Sequence, residues 1–376
     1  MNSHRRAVIR FATAADLEPI RRFVQRHWHT EHIFVQKPEL LQWQHDWTES
    51  AQSPLSFVIA ENEHQVLEGI LGFLPYRRFD RSGCGTELSL AMWKVTAAAA
   101  PGTGVALLRH LIERLSPGLI LVIGINQEVS DLYDILGFNT GVMTQSVLLN
   151  PEWRGSRSLL ANLPDPRDTV PPVTTDISAR GISRCTYSQS ARFRETVDSL
   201  GRRYAPVKTL DYLLGRYARH PYYEYGFMGL YEHSALTGIL VWRSIDSQGS
   251  RLMRIVDFIG DFPAATDQRA ATGAALRSQA NRHNAEYIEL MSAGIDEDCL
   301  QQTGFLSTRR FPDLKIPNYF EPFLDQPAEV RMAYQVLDTA NSKAIRFFRA
   351  DSDQDRPNLP SVVTDTRPPA SIIPSA

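Results

Sequence analysis

Apolar positions along the chain recur with two periods, and the switches between them outline the predicted elements. Val8–Phe11 is a short β-run. Thr13 stands as a cap before Ala14–Trp28, where Leu17, Ile20 and Val24 recur at helical spacing. Pro38 opens a second predicted helix through Trp47. Phe57–Ala60 and Gly69–Phe73 predict a hairpin, followed by a longer strand over Glu87–Thr96. Beyond the loop Ala97–Gly102, the segment Thr103–Leu115 carries Leu108, Leu111, Ile112 and Leu115 on one helical face. Leu119–Ile125 is a continuous apolar run, suited to a strand buried on both sides. Val129–Leu136 predicts a helix ended by Gly137, and Gly141–Leu149 a last strand. The predicted order is β-α-α-β-β-β-α-β-α-β.

The pattern then repeats. Gly69-Ile70-Leu71 returns as Gly238-Ile239-Leu240, 169 residues on, inside a second predicted hairpin (Phe227–Leu230 and Gly238–Trp242). Leu136-Gly137-Phe138 is answered by Thr303-Gly304-Phe305, with the Gly-Phe pair offset by 167 residues. So small a drift over a whole domain marks an internal duplication. Five of the 23 prolines fall in Pro151–Pro172 and five more in Ser352–Ala376. The sequence therefore divides into a first domain (1–150), a proline-rich linker (151–179), a second domain (180–320) and a C-terminal extension with an extended tail (321–376). Within that extension, a helix over Ala328–Leu337 and a strand over Ala344–Phe348 are predicted.

Composition narrows the function. Lys and Arg number 40 against 42 Asp and Glu, a near balance that argues against a nucleic-acid-coating protein. No apolar run approaches a membrane span, and no signal-peptide core follows the N-terminus. The three cysteines (Cys84, Cys185, Cys299) are scattered, with neither a CxxC pair nor a disulfide framework. A soluble, cytoplasmic α/β protein is expected.

The chemically informative stretch is Met92-Trp93-Lys94-Val95…Pro101-Gly102-Thr103-Gly104-Val105-Ala106. A strand runs into a glycine turn that opens straight into an amphipathic helix. The free N–H groups and positive dipole end of that first turn suit a pyrophosphate, and two glycines let phosphate oxygens approach. A tight loop without a ligand is the plain alternative. It is not a P-loop, because no Gly-Lys-Ser/Thr follows.

With this element order, and Leu132-Tyr133-Asp134-Ile135-Leu136-Gly137-Phe138 downstream, the first domain resembles the GCN5-related N-acetyltransferase (GNAT) superfamily of acyl-CoA-dependent acyltransferases. The resemblance covers residues 7–150 and, more faintly, 180–312. It implies two tandem GNAT-like domains and acetyl-CoA or another acyl-CoA as co-substrate. Gly102 and Gly104 match the two small positions of the family's pyrophosphate signature, and Ala99 stands where Arg or Gln is usual. The resemblance implies a donor site of Trp93, Lys94, Val95, Gly102, Thr103, Gly104, Val105, Ala106 and Asn126. Tyr133 matches the tyrosine that protonates the departing thiolate, against a plain reading as a helix tyrosine packed beside Phe138. Asn126 also reads as a helix cap.

For the base, Glu87 begins the strand on which many GNAT enzymes carry a carboxylate, although a surface glutamate is its plain reading. His29 and His32 lie in the region of the acceptor loop, where a neutral imidazole is a suitable base. Their spacing with Glu31 offers no metal site. Trp43 could stack on a sugar ring or pack in a core. Arg216 and Tyr222 stand in a polar aromatic cluster suited to an anionic or sugar-like ligand, or to a solvated helix end. The second copy has Asp261–Asp267 in place of the glycine turn and Leu300 opposite Tyr133, so a donor site is not expected there.

Asp351-Ser352-Asp353-Gln354-Asp355-Arg356 alternates like a calcium loop, but Arg356 stands where glycine is needed and Val362 where the bidentate glutamate is needed. Whole-chain layout and the Asp353–Asn358 ending resemble the tandem GNAT-like proteins encoded among bacterial surface-polysaccharide genes. That resemblance implies an amino-sugar acceptor on a nucleotide or lipid carrier, with neither nucleic acid nor metal. Two other readings are a non-catalytic sugar- or carrier-binding protein of the same fold, and an aminoacyl transferase similar to the Fem peptidoglycan enzymes.

Overall fold

The computed structural model describes residues 7–47, 55–80, 85–155, 158–164, 177–181, 190–232, 234–247, 249–317, 327–339 and 343–356. Cys84, Cys185, part of the proline-rich linker and the tail beyond Arg356 lie outside them.

The first half runs β1 (Val8–Phe11), α1 (Leu17–His27), α2 (Ile33–Gln36), α3 (Pro38–His45), β2 (Phe57–Glu61), β3 (Leu67–Pro75), β4 (Leu88–Val95), α4 (Thr103–Leu115), β5 (Leu119–Ile125), α5 (Gln127–Ile135) and β6 (Asn139–Val142). Leu107, Leu108 and Leu111 of α4 and Tyr133 of α5 cover one face of its sheet. Ile20, Phe23, Val24, Phe34 and Leu40 of α1–α3 cover the other. β5 is covered by α4 and α5 through Ile120 and Val122 and by the second half through Leu119, Leu121 and Ile123, which explains its unbroken apolar run.

Then come β7 (Thr144–Leu149), β8 (Ile177–Gly181), α6 (Ala191–Gly201), β9 (Tyr204–Ala205), α7 (Leu210–Leu213), β10 (Gly226–Glu232), β11 (Ala235–Ser247), β12 (Ser250–Gly260), α8 (Thr266–Arg282), β13 (Tyr287–Ala293), α9 (Glu297–Thr303) and β14 (Leu306–Ser307). The C-terminal segment adds β15 (Arg331–Val336), β16 (Ala344–Ile345) and β17 (Phe347–Phe348). Strands β9 and β16 form a small parallel pair.

The two large sheets do not follow the chain blocks. The first has the order β1-β2-β3-β4-β5-β15-β6 and the second β14-β7-β13-β12-β11-β10-β8. β7, from the end of the first block, lies between β13 and β14, while β15 from the C-terminal segment lies between β5 and β6. Each sheet thus receives the strand next to one edge from outside its own block of the chain. The single strand predicted over Gly141–Leu149 is two strands in two sheets, parted at Met143, whose N–H donates to Val330 O at 2.8 Å.

The helix predicted over Ala328–Leu337 is instead strand β15. Its Met332, Tyr334 and Val336 alternate with Arg331, Ala333 and Gln335, and it enters the open gap between β5 and β6, where a tertiary slot outweighs helix propensity. A shared core joins the halves, with Leu119, Leu121 and Ile123 of β5 meeting Tyr212, Tyr217, Val241 and Phe347. No helix among the described residues is long and apolar enough to cross a membrane.

Candidate active site

Gly102 caps α4 in the left-handed region (φ +85°), where only glycine sits without strain. Thr103 closes the turn on itself, since its N–H and Oγ1 both donate to Ala100 O at 3.1 and 2.7 Å. Ala106 N–H donates to Gly102 O at 2.9 Å. Between them, the N–H groups of Gly104 and Val105 fall in the first turn, where a helix supplies no acceptor. A Cβ on Gly102 would meet nothing within 4 Å, so this side of the turn is open. A Cβ on Gly104 would stand 3.3 Å from Trp93 Nε1 and 3.4 Å from Val95 Cγ2. Glycine at 102 thus serves the backbone, and at 104 it admits the indole of β4 beside the helix.

Strands β4 and β5 pair in parallel only at Leu88–Ile120, Ser89–Leu121 and Leu90–Val122. A bulge against β3, between the Leu71–Trp93 and Phe73–Leu90 pairs, bends β4 at that point. Past it the strands part around a cleft of about 460 Å³. One wall carries Ala91, Trp93 and Lys94, and the other Ile123, Gly124, Ile125 and Asn126. Tyr133 and Val129 of α5 line it, together with His27 and the exposed Trp28 at the end of α1.

Tyr133 is 1% exposed, its ring edge-on to Trp93 (5.6 Å) and Phe138 (4.8 Å). Its hydroxyl has no hydrogen-bond partner among the described residues, and burial pushes its pKa well above the ordinary phenol value. It stays protonated. Asn126 caps α5, its side chain accepting from Val129 N–H at 2.9 Å while it borders the cleft. The capping role and a place at the cleft coexist in that residue.

Other expected site residues lie elsewhere. Glu87 precedes the opposite end of β4, six residues from Trp93 and so about 20 Å along the strand. It borders a separate cavity of about 370 Å³ with Gly118, Val207 and Lys343. Burial raises its pKa. His29 is exposed, its Nδ1 accepting from Glu31 N–H at 3.1 Å. His32 is the cap of α2, where Nδ1 accepts from Phe34 N–H at 3.2 Å. Burial, helped by Arg356 and His29, pushes its pKa down to about 3, so the ring is neutral and committed to the fold.

Trp43, Arg216 and Tyr222 do meet, but at the seam between the halves rather than on the cleft wall. The ring of Trp43 lies 4.5 Å from His220, the Arg216 guanidinium lies 5.7 Å from Trp43, and Tyr222 N–H donates to His220 Nδ1 at 3.1 Å. Arg216 Nη2 donates to Ser352 O at 3.2 Å, which ties this seam to the C-terminal segment.

That segment supplies the wall missed in the sequence, Asp353, Gln354 and Arg356. Residues 352–356, expected as the start of an extended tail, are a packed loop. Asp351 accepts from Lys208 Nζ at 2.6 Å and from Tyr76 Oη at 2.8 Å. Asp355 accepts from Arg243 Nη2 at 3.0 Å and Tyr225 Oη at 2.7 Å. Asp351 and Asp355 are thus answered by a cation and a phenol from distant elements, while Asp353 pairs with Arg356 of the same loop. Nothing in the local spacing signals the distant pairs, because those partners lie more than a hundred residues away.

Among the described residues, the corresponding opening of the second half is filled. Beyond the β12–β13 pairs Leu252–Tyr287 to Ile255–Leu290, β17 takes the place beside β13, with Phe348 opposite Ser292 and Phe347 opposite Ala293. Both phenylalanines are buried. Among the described residues, no group of three or more His, Cys, Asp or Glu could hold a metal ion.

No protein-family model matches the sequence, and no curated protein matches it. Solved structures do match in fold. A GCN5-related N-acetyltransferase from Anabaena variabilis superposes with a TM-score of 0.52 at 10% identity, covering 89% of this chain and 74% of that one. A protein of Enterococcus faecalis described as a probable N-acyltransferase gives 0.52 at 10% identity, over 89% and 73%. The chain is thus a mixed α/β protein with the GNAT fold, built on two large sheets, each completed by a strand from another part of the chain.

Proposed function

We propose that the protein is an acyl-CoA-dependent N-acyltransferase that moves an acetyl or other small acyl group to an amino sugar. One observation carries this reading: β4 and β5 stop pairing after Leu90–Val122, and the cleft opened there by Trp93 and Tyr133 has the glycine turn beside it. The N–H groups of Gly104 and Val105, backed by the helix dipole, receive the donor's pyrophosphate. The unpaired edge of Trp93–Val95 offers backbone groups to the pantetheine amides. Thr103 and Ala106 hold the turn in shape, and Asn126 closes the far wall.

The amine attacks the thioester directly. Cys299, the free cysteine among the described residues, is buried in the core of the second half and does not line the cleft. Tyr133, protonated and without a hydrogen-bond partner, gives its proton to the departing thiolate. The amino-sugar acceptor rests on the chain's resemblance to surface-polysaccharide proteins. It is supported by the chemistry of the cleft mouth, where exposed Trp28 offers a stacking face and Gln354 an amide.

Thiol release from acetyl-CoA in the presence of free and nucleotide-linked amino sugars tests the reading. Amine-dependent release supports it. Silence across that panel and across longer acyl donors contradicts it, and amino-sugar binding without release would favour the non-catalytic carrier-binding reading.

A further inference from the structure

Among the described residues that line the cleft, Asp353 is the one carboxylate. It arrives from the far end of the chain and is 4% exposed. Its Oδ2 accepts from Arg356 Nε at 2.9 Å, while its Oδ1 accepts from no described residue. Neighbours on both sides fix its position. Ser352 Oγ donates to Leu90 O at 3.2 Å, on the last paired residue of β4, and Asp355 is clamped by Arg243 and Tyr225. Of the bases expected from the sequence, Glu87 lies at the other end of β4, His32 is held on its helix cap, and the exposed His29 accepts from Glu31 N–H; His27 also borders the cleft, as an imidazole and not a carboxylate.

Resting on the acyl-transfer reading above, we propose that Asp353 receives the acceptor, its Oδ1 holding the attacking amine and taking the proton that the nitrogen loses. The neutral amine forms the C–N bond at the thioester carbonyl, and positive charge grows on nitrogen. Asp353 stabilises that charge and accepts one N–H proton. As the intermediate collapses the C–S bond breaks, and Tyr133 gives its hydroxyl proton to sulfur. The proton on Asp353 returns through solvent to the Tyr133 phenolate, so amine and thioester become amide and thiol with no proton gained or lost. The same segment fills the second half's slot through Phe347 and Phe348. The second half therefore acts on the first half's chemistry without a donor site of its own.

The test is Asp353→Ala in the full chain, assayed with acetyl-CoA and a panel of primary amines that includes D-glucosamine and UDP-glucosamine, with CoA binding followed by calorimetry. Transfer is expected to fall about 100-fold or more, with CoA affinity within about threefold of wild type. Added formate is expected to restore at least a tenth of the lost rate, which a purely structural loss would not allow. Transfer by Asp353→Ala within about threefold of wild type overturns the proposal, as does a loss that formate leaves untouched while CoA still binds. Wild-type protein that binds CoA yet acylates no amine of the panel also overturns it and leaves the donor site standing. Wild-type protein that binds no CoA removes the acyl-transfer reading itself.

Discussion

Gln354 lies against Gly124 so closely that a Cβ at position 124 would overlap its side-chain amide. Gly124 is near the end of β5 in the first sheet and Gln354 is in the C-terminal segment that crosses from the second, so the contact is where the halves jointly shape the cleft. Gly124 is also left-handed, at φ +87°. Gly124→Ala is expected to lower stability by about 1–2 kcal/mol from the backbone alone, and further by displacing Gln354. In urea unfolding, the double variant with Gln354→Ala should recover the second part and not the first.

Tyr133→Phe separates chemistry from folding. Because the hydroxyl bonds to no described residue, the variant should unfold within about 0.5 kcal/mol of wild type. The turnover number for amine acylation should fall about 10- to 100-fold with CoA affinity preserved. A loss of affinity as large as the loss of turnover would assign the ring to donor binding instead.

Lys208 holds two carboxylates at once, Asp257 Oδ1 and Asp351 Oδ1, each at 2.6 Å and all buried. Lys208→Met leaves both without their cation, at a cost of about 3–5 kcal/mol. Asp351 anchors the loop that carries Asp353, so acyl transfer should fall along with the denaturation midpoint.

Two buried histidines, His32 and His45, and the half-buried His220 contribute to the acid response. Burial lowers the pKa of His32 and His220 to about 3 and that of His45 well below its usual value. The unfolded chain takes up these protons near pH 6.5 and the folded chain does not, so their contribution is complete above about pH 6.5 and is lost as pH falls toward 3. Asp351, pushed up to about 6 by burial, works in the opposite sense, losing stability as pH rises from about 4 to 6. The histidines outnumber it. His32→Asn keeps an acceptor for Phe34 N–H and should flatten the pH dependence of unfolding between pH 6 and 4 by about 1.4 kcal/mol per pH unit.

Much of the first half was legible because its signals are local. The α4 helix and the β5 run follow from apolar period, and Gly102 and Gly104 from the turn they interrupt. The strand exchange was not legible. Nothing within Asn139–Leu149 says that its two ends belong to different sheets, and Arg331–Val336 reads as helix until the gap between β5 and β6 is known. The cleft was half legible for the same reason. Trp93 and Tyr133 lie in two stretches of the first block that the sequence reading singled out, whereas Asp353 and Gln354 reach the cleft only through the packing of Asp351 and Asp355 on distant cations. Arg216 and Tyr222 read in the sequence as one polar aromatic cluster, while Trp43, a separate reading, comes beside Arg216 only through the packing of the halves, and residue type does not distinguish such a seam from a ligand wall.

The most direct measurement is calorimetric titration of the full chain with CoA. One site per chain is predicted, with a dissociation constant below a millimolar, abolished by Gly104→Trp, which fills the space between the first turn of α4 and Trp93. No heat up to millimolar CoA, binding that survives Gly104→Trp, or two equal sites per chain would contradict the account.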